Sequence, residues 1–203
     1  DIDTSFPLVD EIKYVKAAAL DLTDAGKPHA VAELYYRDGP HGNGELYLTI
    51  VDPAVDLTAA ASNEILVFSN SGAGGPLITD YRNQHTFLNL VTGDFDNDGV
   101  SEIVVYVPDP AHPRLALYQI ANGIIQSAPE QTFDLPGFSE FVYLTTGDIT
   151  GDNLADLVLS YNGPDTGMTG HVYIFKSQEF SLASPHVFGG EEYYSSGITN
   201  AAV

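Results

Sequence analysis

The sequence predicts an all-β fold built from a repeated unit. An acidic loop recurs along the chain, an apolar β-branched run follows each clear copy, and the composition is rich in turn formers. Nineteen glycines and twelve prolines accompany many Val, Ile, Thr and Tyr residues. No window carries a long amphipathic helical pattern, and no apolar run approaches the roughly 18 residues of a membrane-spanning helix. With 203 residues, 44% of them hydrophobic and 11% aromatic, the chain can bury a substantial core.

The clearest loop runs from Asp94 to Glu102 and leads at once into Ile103, Val104, Val105, Tyr106 and Val107. Its carboxylates, Asp94, Asp96, Asp98 and Glu102, stand at offsets 0, 2, 4 and 8. Calcium takes about six to eight hard oxygen ligands at about 2.3–2.6 Å, and alternate residues of a tight loop can all turn inward to supply them. Gly99 stands where the loop must reverse, a position that favours positive φ. The helical calcium loop of an EF-hand carries its last acid about twelve positions in, between two helices. Here that acid comes at the ninth position and a strand follows, so the loop joins two strands.

A second copy begins 54 positions later and comprises Asp148, Ile149, Thr150, Gly151, Asp152, Asn153, Leu154, Ala155 and Asp156, before the run Leu157 to Tyr161. Thr-Gly precedes both copies, as Thr92-Gly93 and Thr146-Gly147. Thr150 replaces one carboxylate, and Asn153 replaces the glycine because asparagine tolerates the left-handed region. A worn third copy spans Asp21 to His29, ahead of Ala30 to Tyr36. It keeps the first acid and Gly26, but Ala25 and His29 stand where the third and last carboxylates belong.

These segments resemble the FG-GAP repeats of integrin α-subunit propellers and the related VCBS-type repeats of secreted microbial proteins. In those families each repeat is one four-stranded antiparallel blade of a β-propeller, with a calcium loop between its first two strands. The resemblance covers nearly the whole chain and is closest at Asp94 to Glu102. It implies about three blades: 1–80 with the degenerate loop, 81–136 with the strong loop and 137–190 with the second copy, while 191–203 starts a further blade. Typical propellers hold about four to eight blades, so the expectation is a partial propeller or a fragment of a larger one.

Strand positions follow from the loops. The middle blade reads as Phe87 to Val91, Ile103 to Val107, Leu115 to Ile120 and Gln131 to Leu135, with turns at Pro108 to Pro113 and at Ala121, Asn122 and Gly123. Alternation is plain from Arg114 to Ile120, as in a half-buried strand. The next blade reads as Phe141 to Thr145, Leu157 to Tyr161, His171 to Phe175 and a last strand near His186 to Phe188. The first loop starts 73 residues before the next, against 54 for the following interval, an excess of 19. Gly39 to Ser62 is read as the insertion, an extended hairpin that contains Glu45 to Val51 as a strand, and Glu64 to Phe68 resumes the blade. Loops on a rigid scaffold often carry binding, and this insertion is free to present Tyr47. The tail from Tyr193 to Val203 resembles the start of another blade, stopping just short of its calcium loop.

The net charge of −21, from 28 acids and 7 bases, argues against nucleic acid, which needs Lys and Arg to displace counterions. It also disfavours anionic membrane surfaces, and no segment is suited to membrane insertion. The excess acid fits metal binding or solubility in a secreted or saline setting. There are no cysteines, so disulfides and thiol chemistry are absent. The start at Asp1, Ile2, Asp3 and Thr4 reads as a processed or trimmed end rather than a signal peptide.

In the middle loop the expected ligands are Asp94, Asp96, Asp98 and Glu102 with the carbonyl of Val100. In the next they are Asp148, Thr150, Asp152 and Asp156 with the carbonyl of Leu154. Four carboxylates within nine residues repel one another without a cation, so about two calcium ions are expected and none in the first loop. The resemblance implies structural ions without the open coordination position that a catalytic metal needs. The histidines His29, His41, His85, His112, His171 and His186 have no metal-ligand spacing, no Gly-x-Ser-x-Gly elbow or P-loop occurs, and Gly72 to Pro76 reads as a turn. Tyr35, Tyr36, Tyr47, Tyr193 and Tyr194 are candidates for an aromatic surface that binds sugar or peptide, against ordinary strand packing.

Two function classes follow. The first is a non-catalytic, secreted or cell-surface module for adhesion, carbohydrate or protein binding, or assembly with the remaining blades. The second is an accessory or site-bearing propeller of a secreted enzyme of lyase, dehydratase or phospholipase type. The expectation leans to the first, because no catalytic constellation is visible.

Overall fold

The computed structural model describes residues 12–22, 30–38, 44–51, 64–69, 88–109, 111–135, 142–162, 170–176 and 186–187. Among them the protein is all-β with no helix. Three four-stranded antiparallel sheets follow one another along the chain, each built as an up-and-down meander. The first holds β1 (Ile12–Leu20), β2 (Ala30–Asp38), β3 (Gly44–Val51) and β4 (Ile65–Ser69). The second holds β5 (Leu90–Gly93), β6 (Glu102–Val107), β7 (Arg114–Tyr118) and β10 (Gln131–Asp134). Between its last two strands lies a small hairpin of β8 (Ile120–Ala121) and β9 (Ile124–Ile125). Its turn residues Asn122 and Gly123 have φ of 54° and 74°, as the Asn-Gly hairpin signal requires. The third sheet holds β11 (Val142–Gly147), β12 (Asp156–Asn162), β13 (Gly170–Phe175) and β14 (His186–Val187).

The second sheet lies between the other two, and alternation decides which residue meets which neighbour. Ile103, Val105, Val107, Ala116 and Tyr118 join Ala32, Leu34, Leu46, Leu48 and Ile50 of the first sheet in one core. Val104, Tyr106, Leu115 and Leu117 turn the other way and join Leu157, Leu159, Tyr173 and Phe175 of the third sheet. Both faces of β6 are therefore covered, and all six of its residues are buried. This is the physical reason its sequence is continuously apolar after Glu102 rather than alternating. In the second core Phe133 meets Tyr173 and Phe175 edge-on, with centroids 5.5 and 5.4 Å apart. Each such pair contributes about 0.5–1.5 kcal/mol beyond its buried area.

The first strands of the sheets lie side by side and are tied at one repeated position. The Thr92 hydroxyl donates to the Ala19 carbonyl at 2.5 Å, and the Thr146 hydroxyl donates to the Thr92 carbonyl at 3.5 Å. Counted back from the first acid of each loop, Ala19, Thr92 and Thr146 occupy the same place. A second tie reaches from the sheet-two loop to the first sheet: the Ser101 amide donates to the Asp21 carbonyl, and the Asp21 amide donates to the Ser101 hydroxyl. A Cβ built on Gly93 would lie 3.1 Å from the Ala155 Cβ and from the Phe95 ring, so glycine keeps this passage open.

Several expectations are corrected. Glu45 to Val51 forms a strand, as expected, but it is not part of an added hairpin: β3 is the third strand of the first sheet, paired with β2 on one side and β4 on the other. The first strands of the later sheets run on to Gly93 and Gly147, because the Thr-Gly pairs face Ile103-Glu102 and Leu157-Asp156 across the ladder. In the first sheet Leu20 pairs with Ala30 where Gly93 pairs with Glu102. Ala30, one residue beyond His29, thus takes the place of the last acid. The expectations for residues 23–29, for the connections flanking β3 and for the tail at 193–203 lie outside the described residues.

Candidate metal centre

The middle loop enters from β5 and leaves into β6, and two left-handed residues fold it back on itself. Asn97 has φ 64° and Gly99 has φ 85°. The loop between β11 and β12 uses the same two positions with the residue types exchanged, Gly151 at 79° and Asn153 at 68°. Glycine and asparagine are the residues that reach this region at least cost.

The carboxylates face their own backbone. Asp94 accepts from the amides of Asp98 and Gly99 at 3.2 and 3.1 Å, and Asp96 accepts from the Asp98 amide at 3.1 Å. Glu102 reaches across the loop to accept from the Phe95 amide at 2.8 Å. Oxygen atoms of Asp94, Asp96 and Glu102 consequently lie within 4.8 Å of one another, and this is the one such acidic group found among the described residues. Asp98 stands outside it, exposed, and accepts from the Val100 amide at 2.8 Å. Gln119 completes the surroundings by donating from Nε2 to Asp96 at 3.2 Å.

The arrangement is electrostatically unfavourable by itself. Burial pushes the Glu102 carboxyl up to about 8, the Phe95 amide pulls it partly back, and the charges of Asp96, Asp98 and Asp94 add to the rise. Asp96 is also raised, by burial and then by Asp98 and Asp94. The donor set is entirely oxygen on a loop with glycine at its reversal, which suits a hard divalent cation. Asp94, Asp96 and Glu102 are the residues that could hold it.

The next loop repeats the backbone contacts. Asp148 accepts from the amides of Gly151, Asp152 and Asn153 at 2.6, 3.1 and 2.8 Å. Asp156, fully buried, accepts from the Ile149 and Thr150 amides at 2.8 and 2.9 Å, as Glu102 does from Phe95. Asp152 accepts from the Leu154 amide at 3.0 Å, matching Asp98 and Val100. Its carboxylates do not gather into a cluster like that of the middle loop. Two differences in the sequence account for this: Thr150 stands where the middle loop has Asp96, and the last acid is the shorter Asp156 where the middle loop has Glu102.

Three participants escape sequence reasoning. Gln119 lies 23 residues from Asp96, and no local spacing links them. Ser101 and Phe95 read as filler between acids, yet one ties the loop to the first sheet and the other sits in the second core, fully buried.

The tyrosine candidates divide. Tyr35 and Tyr47 stack at 5.9 Å with Arg37 4.6 Å above the Tyr47 ring, whereas Tyr36 belongs to the first core. The polar groups of this cluster are engaged with one another. Arg37 pairs with Glu64 at 2.9 Å, the Tyr35 hydroxyl donates to Glu64, and the Tyr47 hydroxyl donates to Glu45 at 2.6 Å. That arrangement is packing on a sheet face. No protein-family model matches the chain, and a search of curated proteins finds no match.

Proposed function

We propose that the chain is a calcium-stabilised, non-catalytic module of the propeller type that works outside the cell, binding a protein or carbohydrate ligand or assembling with further blades. The observation that carries this reading is the convergence of Asp94, Asp96 and Glu102 within 4.8 Å on a loop between two strands. The all-oxygen donor set supports calcium, and the repeated sheet-to-sheet ties support a propeller-like series. The position of the loop gives the ion a structural role. The loop touches the first sheet through Ser101 and the third through Phe95, so an ion fixing its shape fixes both contacts. Extracellular modules bind calcium at about 10⁻⁴–10⁻³ M, which is compatible with such a loop working outside the cell.

Melting with and without calcium tests the proposal. A ligand that binds only the folded state adds RT ln(1 + [L]/Kd), about 2.7 kcal/mol at a hundredfold excess over Kd. Chelation is expected to lower the melting temperature, and Asp96→Ala to remove most of the calcium-dependent part. A melting curve that excess chelator leaves unchanged rules the reading out.

A further inference from the structure

Building on the calcium reading of the middle loop, we infer that the residue facing the last acid of a loop from the third strand of its sheet governs which loop takes the divalent cation. Gln119 favours the middle loop, and Lys176 disfavours the next. The ladders place both residues. In the second sheet Ile103 pairs with Tyr118, so one step further Glu102 faces Gln119. In the third sheet Leu157 pairs with Phe175, so one step further Asp156 faces Lys176. Residues directly opposite in an antiparallel pair have Cα atoms about 4.5–5.5 Å apart and side chains on one face. Each loop thus has a neighbour from a strand that its acid spacing does not include.

Gln119 uses this position to hold a ligand. Its Nε2 donates to Asp96 at 3.2 Å, and its carbonyl accepts from the Gln126 amide at 2.9 Å, closing the base of the β8–β9 hairpin. Buried Tyr118 and Ile120 on either side anchor its backbone. It is therefore a positioning residue: a neutral amide orients the carboxylate and adds no charge that competes with the ion. Losing an outer partner of this kind typically costs about 10–100-fold in metal affinity.

Lys176 is exposed and brings an ammonium to the equivalent place. A unit positive charge a few ångströms from a bound divalent ion lowers its affinity by about fivefold to tenfold. In the ion's absence the same charge relieves repulsion among the acids. The middle loop sets four acids beside a neutral amide, whereas the next sets three acids, with Thr150 at the remaining place, beside an ammonium. The next loop also satisfies its acids from within, since Asp148 accepts from three amides and Asp156 from two. Calcium accordingly fills the middle loop first.

Calorimetric calcium titration of the full chain, paired with melting in excess chelator, tests this by exchanging the two residues. Gln119→Lys is expected to weaken the middle site about tenfold or more while raising the melting temperature of the metal-free protein. Damage to the fold would lower both, so the opposite signs separate positioning and charge from structure. Lys176→Gln, made in an Asp96→Ala background that silences the middle loop, is expected to tighten the remaining site about fivefold to tenfold. It should also lower the metal-free melting temperature. Two equally tight ions in the parent overturn the inference. So does an unchanged calcium affinity in Gln119→Lys, or in Lys176→Gln measured against its Asp96→Ala background. A parent that takes up no calcium overturns the cation reading itself and this preference with it, whereas a parent that binds one ion but ignores the exchange overturns the preference alone.

Discussion

Glu102 concentrates the electrostatics of the middle loop in one side chain. It is 2% exposed, opens β6 and faces Gly93 across the ladder. Its carboxyl is raised from an ordinary value of 4.5 to about 8, by burial first and by Asp96, Asp98 and Asp94 after it. A carboxyl raised in the folded state holds its proton there while the unfolded chain has already released it. Stability therefore falls as pH rises from about 4.5 to about 8 in metal-free buffer. Calcium opposes the trend, because the ion needs the deprotonated ligand. Urea titrations of metal-free protein across that window should show the parent losing stability relative to Glu102→Gln as pH rises. A constant difference between the two would contradict the placement of an uncompensated buried acid.

Among the elements, the two loops show how one backbone design serves two environments. Phe95 and Ile149 have the same loop position, each directly after the first acid, but among the described residues only Phe95 has a sheet packed over it. Truncating a fully buried aromatic typically costs about 3–5 kcal/mol, whereas surface changes usually stay within about 0.5 kcal/mol. Phe95→Ala is thus expected to lower the denaturant midpoint strongly and Ile149→Ala to leave it nearly unmoved. Similar losses for both would mean that Ile149 is covered in the folded protein.

For the molecule as a whole, stability is graded from the middle outward. The second sheet contributes to both cores, and β6 is buried at every residue. At the rim of the first sheet, β4 ends the strand order and Leu66 is 48% exposed. Amides deep in packed elements exchange through global opening, while those at sheet rims exchange through local opening. Hydrogen exchange is expected to show the highest protection at Val104 and Val105 and much lower protection along β4. Comparable rates in the two strands would show that the three sheets open together.

The sequence by itself determined what depends on local spacing. The acid offsets marked the loop from Asp94 to Glu102, and the apolar run after it marked β6. Asn153 entered the left-handed region at the glycine position because the turn needs positive φ there. These features lie within about ten residues of chain, and short-range sterics decide them. Tertiary structure decided whatever depends on which sheet stands next door. Asp98 stays outside the acidic cluster while distant Gln119 joins its rim. Gly44–Val51 becomes an interior strand because β2 and β4 both offer it a ladder. Phe95 is core and Ile149 is surface, although the loops holding them read alike. Exposure and long-range pairing are set by residues far apart in the chain, and local spacing carries no record of them.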